Sequence, residues 1–510
     1  MYPKTSGLVS AKRTPRRLLL GIAANTHNVV NVHERTFDSE HDAERRGTTS
    51  MKKSVHVADG SRDSANPTHF VLDWNGKDDP DNPRNFTLKR RVASTIAVTF
   101  LAFVSTFAGA IYAPAHEDVA RLFNTSEEVA ILPLALYNFG MMVGPSFGSP
   151  LCETFGRKIV FLITTPIFAL FILGSGYSES ITPLVVCRFF AGVFASPNIG
   201  NASATITDYT AGRYRAVSLA FYYSIPFLGA VLGPLIGGFL VEYKDWRWTQ
   251  WTTLFFIIAF YLPVVFTKET YKKTILQRRA KRQGHLHSGT EIRPTFLQSA
   301  KHFATSLLLR PIHMLFTEPI VTLVCLYNGF MFGLMYTFVV ASPWVFQHYY
   351  GFSLTGQSLS FLGLIVGTMV APVPLIAIDL YIYQPRLKRW RTTQQQETNL
   401  SFPPENRLFP SLIAAPILPA ALLVFGWTSR PTIPYMVPIV FQGISILASL
   451  LIYASANLFM LDTYGPLYGA SAAGAAMLTR YGLSAAFPLF ALKMYKGQLN
   501  KGTGTSTFLF

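Results

Sequence analysis

Few residues in this chain have types and spacings that could do chemistry, and none is arranged for making or breaking bonds. His302, His313 and His348 stand apart, and no H-E-x-x-H or histidine-with-acid cluster occurs. Cys152, Cys187 and Cys325 form neither a CxxC metal site nor a disulfide framework. No metal or cofactor site is expected, and the chain does not read as an enzyme. What does stand out is a lone guanidinium, Arg188, in an otherwise apolar stretch. A charge inside hydrocarbon costs roughly 3 kcal/mol or more and persists mostly where it faces protein or water. Tyrosines and amides recur in similar surroundings: Tyr137 and Asn138, Tyr222 and Tyr223, Tyr327 and Asn328, and Asn457. Around a common cavity they would hold a bulky amphipathic molecule by stacking, cation–π contact and adaptable hydrogen bonds. The carboxylates Glu153, Asp208, Asp379 and Asp462 fall at the ends of apolar stretches, and none lies near the middle of one.

The elements that must position these groups follow from composition. Of 510 residues, 50% are hydrophobic and 14% charged, where a soluble protein carries roughly 25% charged residues. The apolar residues lie in long blocks, so the bilayer is the expected solvent. A net charge of +17 comes without zinc-finger, RNP or helix-turn-helix patterns, so membrane topology and not nucleic acid accounts for it. Crossing hydrocarbon takes about 20 apolar residues as helix. That ruler gives spans at 92–114, 129–148, 158–178, 183–207, 217–241 and 250–267, then at 316–342, 357–380, 409–428, 433–457 and 467–492. The pattern predicts an all-α membrane protein of six plus five helices.

Charge sets the expected orientation. Residues 1–91 carry 16 Lys and Arg against 11 Asp and Glu, without apolar periodicity, and read as a mostly disordered cytoplasmic tail. The 268–315 linker has ten basic residues and two acids, and the 381–408 loop has five basic residues, so both are expected in the cytoplasm. The 115–128 loop has four acids and one Arg and belongs outside, which makes Asn124 in Asn124-Thr125-Ser126 a possible glycosylation site.

Three motifs carry more. Gly148-Ser149-Pro150-Leu151-Cys152-Glu153-Thr154-Phe155-Gly156-Arg157-Lys158, between spans two and three, resembles the signature loop of the major facilitator superfamily. Its glycines suit a tight turn, and Glu153, Arg157 and Lys158 can latch neighbouring helix ends. In span five, Gly229, Gly233, Pro234, Gly237 and Gly238 resemble the antiporter motif of drug:proton exchangers, with glycines at i, i+4 and i+8 making a smooth strip for close helix approach. Arg188-Phe189-Phe190-Ala191-Gly192 in span four resembles the R-x-x-x-G signature of the same superfamily, which implies a role for Arg188 in proton coupling. The box Asp73-Trp74-Asn75-Gly76-Lys77-Asp78-Asp79-Pro80-Asp81-Asn82-Pro83-Arg84-Asn85-Phe86 resembles the segment before span one in fungal twelve-span drug:proton antiporters. Trp246-Arg247-Trp248, Glu269-Thr270-Tyr271 and Pro404-Glu405-Asn406-Arg407-Leu408 extend the likeness.

The resemblance implies a major facilitator fold of two pseudo-symmetric bundles, 92–267 and 316–492, joined by the 268–315 linker. It implies a monomeric exporter of drugs, toxins or amphipathic metabolites, driven by the proton gradient without a cofactor, with lipid, a small molecule and protons as partners and no nucleic acid. Glycines 148, 156, 229, 233, 237 and 238 with Glu153, Arg157, Lys158 and Pro234 would gate it. The plasma membrane is the expected location, with the vacuolar membrane as the alternative. The sugar-porter P-E-S-P-R pattern is absent after span six, which speaks against sugar uptake. The family has a further C-terminal helix, and residues 493–510 read as a polar tail, so a truncated reading frame is the expectation over a real eleven-span form. A non-transporting sensor on the same fold is the alternative function.

Overall fold

The computed structural model describes residues 73–76, 78–210, 213–282, 310–393 and 402–499. The expected disorder of the tail before Asp73, the middle of the linker and the end of the polar tail fall outside the described residues. The described residues from 73 to 387 and from 403 to 499 form one compact unit, and the account below concerns that unit. Among its described residues eleven helices are long and apolar enough to cross a membrane: α1 (Leu88–Leu122), α2 (Glu127–Gly148), α3 (Arg157–Gly176), α4 (Ile181–Tyr209), α5 (Tyr214–Tyr243), α6 (Trp248–Val265), α7 (Pro319–Tyr350), α8 (Leu354–Thr393), α9 (Pro404–Thr428), α10 (Met436–Gly465) and α11 (Ser471–Tyr495). The expected spans are all present. Most run longer than expected, because a hydropathy ruler stops at the edge of hydrocarbon while backbone hydrogen bonding continues into the polar turns beyond it.

Local chemistry sets the breaks. Ser126 Oγ accepts from the Val129 amide to start α2, with Glu127 and Glu128 in the first turn. α7 stops at Gly351, whose φ of 65° closes the helix in a left-handed cap, and Ser353 Oγ then accepts from the Gly356 amide to start α8. A single residue, Gly465 at φ 59° and ψ −168°, divides α10 from the helix that follows. The expected loop at 149–158 is corrected: the chain stays helical from Pro145 to Phe155 and turns only at Gly156, where φ is 99°. Gly148 therefore lies inside a helix and is not a turn residue. A Cβ there would sit 2.9 Å from the Pro197 ring of α4, so its role is close packing.

Within each half the same helices cross by the same device. α2 and α4 meet where Gly140 and Gly192 lie against backbone, a Cβ at either falling 2.2 Å from the Phe189 carbonyl oxygen or 2.1 Å from that of Tyr137. α8 and α10 meet in the same way at Gly363, Gly367 and Gly443. Helices two and four of the first half thus correspond to helices two and four of the second, a repeat expressed in packing. The halves join along two seams. α5 packs on α8, and α11 packs on α2, where Gly482 faces Met142.

The box before α1 is ordered from Asp73 and bound to the helix Lys272–Arg282 that follows α6. Asp79, with no side-chain exposure, receives both guanidinium nitrogens of Arg279 at 2.7 and 2.8 Å. It also accepts from the amides of Asn75 and Asp81 at 2.9 and 3.0 Å. Arg279 reaches Asp81 at 2.7 Å, and Lys272 pairs with Asp73 at 2.9 Å. The Arg279 hydrogen bonds hold the Asp79 carboxyl well below the usual carboxylate range. A depressed carboxyl contributes stability above its unfolded value, near 3.9, and loses it as pH falls through the folded value. The expected outcome is that protease cleavage within 73–86 of the purified protein stays slow down to about pH 4 and accelerates only below it, whereas Asp79→Asn is cleaved rapidly at pH 7. Equal cleavage of the two proteins at pH 7 would show that the clamp does not hold the box.

Candidate functional site

Arg188 lies two turns into α4 and is fully buried. Its Nη1 donates to the Ala108 carbonyl at 2.7 Å and its Nη2 to that of Gly109 at 3.0 Å, with Nε 3.5 Å from the Pro133 carbonyl. Regular helix in α1 stops at Ala110, so the Ala108 and Gly109 carbonyls belong to the turn whose intrahelical partners run out, and the guanidinium caps them at the negative end of the helix. The rings of Tyr137 and Tyr112 lie 4.8 and 5.3 Å from its central carbon. The guanidinium binds three helices together, and among the described residues it pairs with no carboxylate.

A second buried arginine escapes the sequence reading. Arg480 in α11 is 5% exposed. It donates to the Tyr453 hydroxyl, and to that of Tyr481 at 2.8 Å. Its guanidinium lies 4.4 Å from the Tyr481 ring and 4.6 Å from that of Phe332. The rule that singles out Arg188, a charge inside an apolar span, applies equally to Arg480. Around it the halves touch through rings: Tyr223 and Phe227 of α5 lie 5.4 and 5.2 Å from Tyr453 of α10, and Phe227 lies 4.6 Å from Phe332 of α7.

The expected cavity residues fare differently. Tyr137, Asn138, Tyr222, Tyr223 and Asn328 are all buried. Tyr137 and Tyr222 spend their hydroxyls on the Ser105 and Ile199 carbonyls, each at 2.6 Å, and their rings pack against Arg188 and Tyr223. Asn457 donates to the carbonyl of Tyr453, one turn back on its own helix. Tyr327 is corrected. It is 40% exposed and shares the helical stripe of Leu323, Leu326 and Phe330, all exposed, so it faces lipid and not the interior.

The two ends of the seam between the halves differ. On the face that carries the α1–α2 turn, Glu242 of α5 accepts from the Thr355 amide at the start of α8 at 3.1 Å. Lys493 of α11 pairs with Glu128 of α2 at 2.9 Å on the same face. On the opposite, basic face every ion pair among the described residues stays within one half. There a narrow cleft of about 30 Å³ opens between α5, α8, α9 and α10, lined by Ala220, Asp379, Arg407 and Ala454 among others.

Each half carries a charge lock at the basic face. In the first, Glu269 accepts from the amides of Arg157 and Lys158 at 2.8 and 3.1 Å and so caps the start of α3. Arg157 pairs with Asp208 at the end of α4 at 3.4 Å, with its guanidinium 4.8 Å from the Tyr271 ring. In the second, Arg407 at the start of α9 reaches Asp462 near the end of α10 at 2.7 Å and Asp379 at 3.0 Å, and lies 3.7 Å from the Tyr383 ring. Of the expected latch, Arg157 and the Lys158 amide are held by Glu269 and Asp208; the Glu153 side chain lies outside those described. Asn124, the sequon residue, is exposed on the other face at φ 50°.

The expected glycine strip of α5 is in place. A Cβ at Gly229, Gly233 or Gly237 would lie 2.5 Å from the Phe103 carbonyl oxygen, 2.8 Å from the Ile111 nitrogen or 2.3 Å from the Ile111 oxygen, all backbone of α1. Gly238 faces the other way, toward Ser358 of α8. The helix runs unbroken through Pro226 and Pro234. Backbone cannot yield as a flexible side chain does, so Gly233→Val is expected to cost about 1–3 kcal/mol, read as a lower melting midpoint in detergent. Gly469→Ala, where the nearest atom is Leu461 Cδ1 at an ordinary 3.4 Å, should melt like the native protein. Equal midpoints for the two variants would refute the close contact.

The family model of the Major Facilitator Superfamily matches residues 98–488. The chain is 34% identical over 428 residues to the MFS-type transporter traF of Penicillium crustosum, covering 83% of this chain and 85% of that one. It is 32% identical over 425 residues to the efflux pump FUBT of Fusarium oxysporum, with 82% and 70% covered. The solved structure of the proton:xylose symporter XylE superposes with a TM-score of 0.58 at 14% identity, over 83% of this chain and 93% of that one, a likeness of fold. With six plus five membrane helices whose halves cross at matched glycines and the family match over three quarters of its length, this chain belongs to the major facilitator superfamily, as a multi-pass membrane transport protein akin to fungal members.

Proposed function

We propose that the protein is a proton-coupled exporter of drugs, toxins or small amphipathic metabolites that works by alternating access, with its basic face in the cytoplasm and the plasma membrane as its site. The observation that carries this reading is the asymmetry of the seam. Polar contacts tie the halves together at the acidic-loop face, and a cleft enters between them at the basic face. A substrate arriving from the cytoplasm meets the open side, and rocking of the two halves about the ring contacts of α5 with α7 and α10 would expose it on the other. The intact lock inside each half lets each move as a body. The efflux pump among its relatives supports the outward direction. No observation favours the sensor reading.

Proton coupling rests on Arg188, which cannot itself release a proton and would act by holding α1, α2 and α4 in register as an acid or bound water titrates. Asp379 lines the cleft and pairs with Arg407 there. The test is accumulation of a fluorescent amphipathic dye in yeast cells with and without the chain. Expression should lower cell-associated dye severalfold, and a protonophore should abolish the difference. Equal accumulation in cells where the protein is verified at the plasma membrane would overturn the export reading. A difference that survives the protonophore would overturn the coupling alone.

A further inference from the structure

We propose that the site between the halves takes an organic anion, a carboxylate or phenolate on an aromatic frame, and that Arg480 is the residue that binds its charge. This rests on the export reading for the direction of movement but not for the chemistry of the site. The interior of the eleven spans holds two buried guanidinium groups, and apart from Asp379, which lies within α8 and pairs with Arg407 at the basic face, every carboxylate of the described residues lies at or near a helix end or in a turn. No described carboxylate pairs with either of the two guanidinium groups.

The two arginines differ in what they meet. Arg188 is answered by carbonyls of α1. Arg480 meets only neutral groups, the hydroxyls of Tyr453 and Tyr481 and the faces of three rings. Its Nε has no hydrogen-bond partner although the residue is buried, and neither has the amide of Asn328, which is fully buried one turn from Phe332 on the same face of α7. Unpartnered buried donors at a fixed cation make an anion site, because such groups are costly unless a ligand answers them. Tyr453 and Tyr481 accept from the guanidinium, which leaves each hydroxyl proton free to donate to the same anion.

The apolar part of the ligand has a surface to meet as well. Phe332, Tyr453 and Tyr223 present ring faces and edges around the guanidinium, suited to stacking of an aromatic frame. The cleft at the basic face is lined by Ala220 and Ala454, which stand in the chain three residues from Tyr223 and next to Tyr453. A cationic ligand at this site would face an unneutralised guanidinium, so the same site disfavours amines.

The probes are ring-matched sets of an anion, a neutral amide and a cation: 2-naphthoate, 2-naphthamide and 2-naphthylmethylammonium, with the corresponding benzene and anthracene series. Binding to the purified full-length protein in detergent at pH 7 is read by calorimetry. The expected result is that the carboxylate binds at least tenfold more tightly than its amide in at least one series and that the ammonium binds more weakly than either. Arg480→Gln should lose the tenfold preference while keeping amide affinity, and Arg480→Lys should retain part of it. The comparison within the native protein needs no variant, so it stands even where Arg480→Gln fails to fold. No preference for the anion in any series, or an unchanged preference in folded Arg480→Gln, would overturn the proposal. Arg480-dependent anion binding without a change in cellular accumulation would sink the export reading and leave this one. Export of the ammonium but not the carboxylate would do the reverse.

Discussion

Hydrocarbon offers no hydrogen-bond partner, so each polar group that the chain carries into the bilayer has to be satisfied inside the protein. Most of the architecture follows from that constraint. It makes every span a helix. It also explains why helices close together at glycine: without a hydrophobic drive between helices in lipid, contact comes from backbones near enough for dense packing, as where Gly140 and Gly192 join α2 to α4 and Gly233 joins α5 to α1. The same constraint decides where charge is allowed. Arg188 survives in the interior because the α1 carbonyls it meets belong to a turn whose helical partners run out. One unsatisfied group is answered by another.

The repeat that joins the halves shows in polar chemistry as well as in packing. Each half carries an arginine at the start of its third helix, an aspartate at the end of its fourth, and a tyrosine ring beneath the guanidinium: Arg157, Asp208 and Tyr271 in one, Arg407, Asp462 and Tyr383 in the other. The copies have diverged. In the first half the extra acid, Glu269, comes from beyond the sixth helix and caps backbone amides, whereas in the second, Asp379 comes from the second helix and binds the guanidinium itself. Each lock rigidifies one half and leaves the seam at the basic face without an ion pair among the described residues, a distribution suited to two bodies that move against each other.

Much of this was legible in residue order, and the rest was hidden for physical reasons. Span number and order follow from blocks of apolar residues, because the length of a crossing helix is set by the bilayer and not by its partners. Arg188 and the α5 glycines are legible because a charge or a regular glycine spacing in such a block has few explanations. Tyr327 misled because composition does not say which side of a helix faces lipid; its neighbours at three- and four-residue spacing, Leu323, Leu326 and Phe330, carried that information. The caps were hidden more deeply. Glu269 binds the amides of Arg157 and Lys158 across more than a hundred residues, and backbone donors leave no trace in a sequence. Arg480 was visible by the rule that found Arg188, but its setting was not, since Phe332, Tyr453 and Tyr481 come from three separate helices.

The two interior arginines show how one cost can be met in two ways. A guanidinium that has to stay in place through the working cycle is best answered by backbone, whose carbonyls are fixed to the helices that it holds, and Arg188 is answered so. A guanidinium that has to exchange partners cannot be given a permanent carboxylate, since breaking a buried ion pair by removing one partner costs roughly 3–5 kcal/mol. Arg480 sits among hydroxyls and rings instead. These lower the cost of burying its charge without cancelling that charge, and they leave room for a stronger partner to come and go. Their placement at the ring contacts between α5 and the second half puts any such partner on the axis about which the halves would rock, so that occupancy of the site and the position of the seam bear on each other.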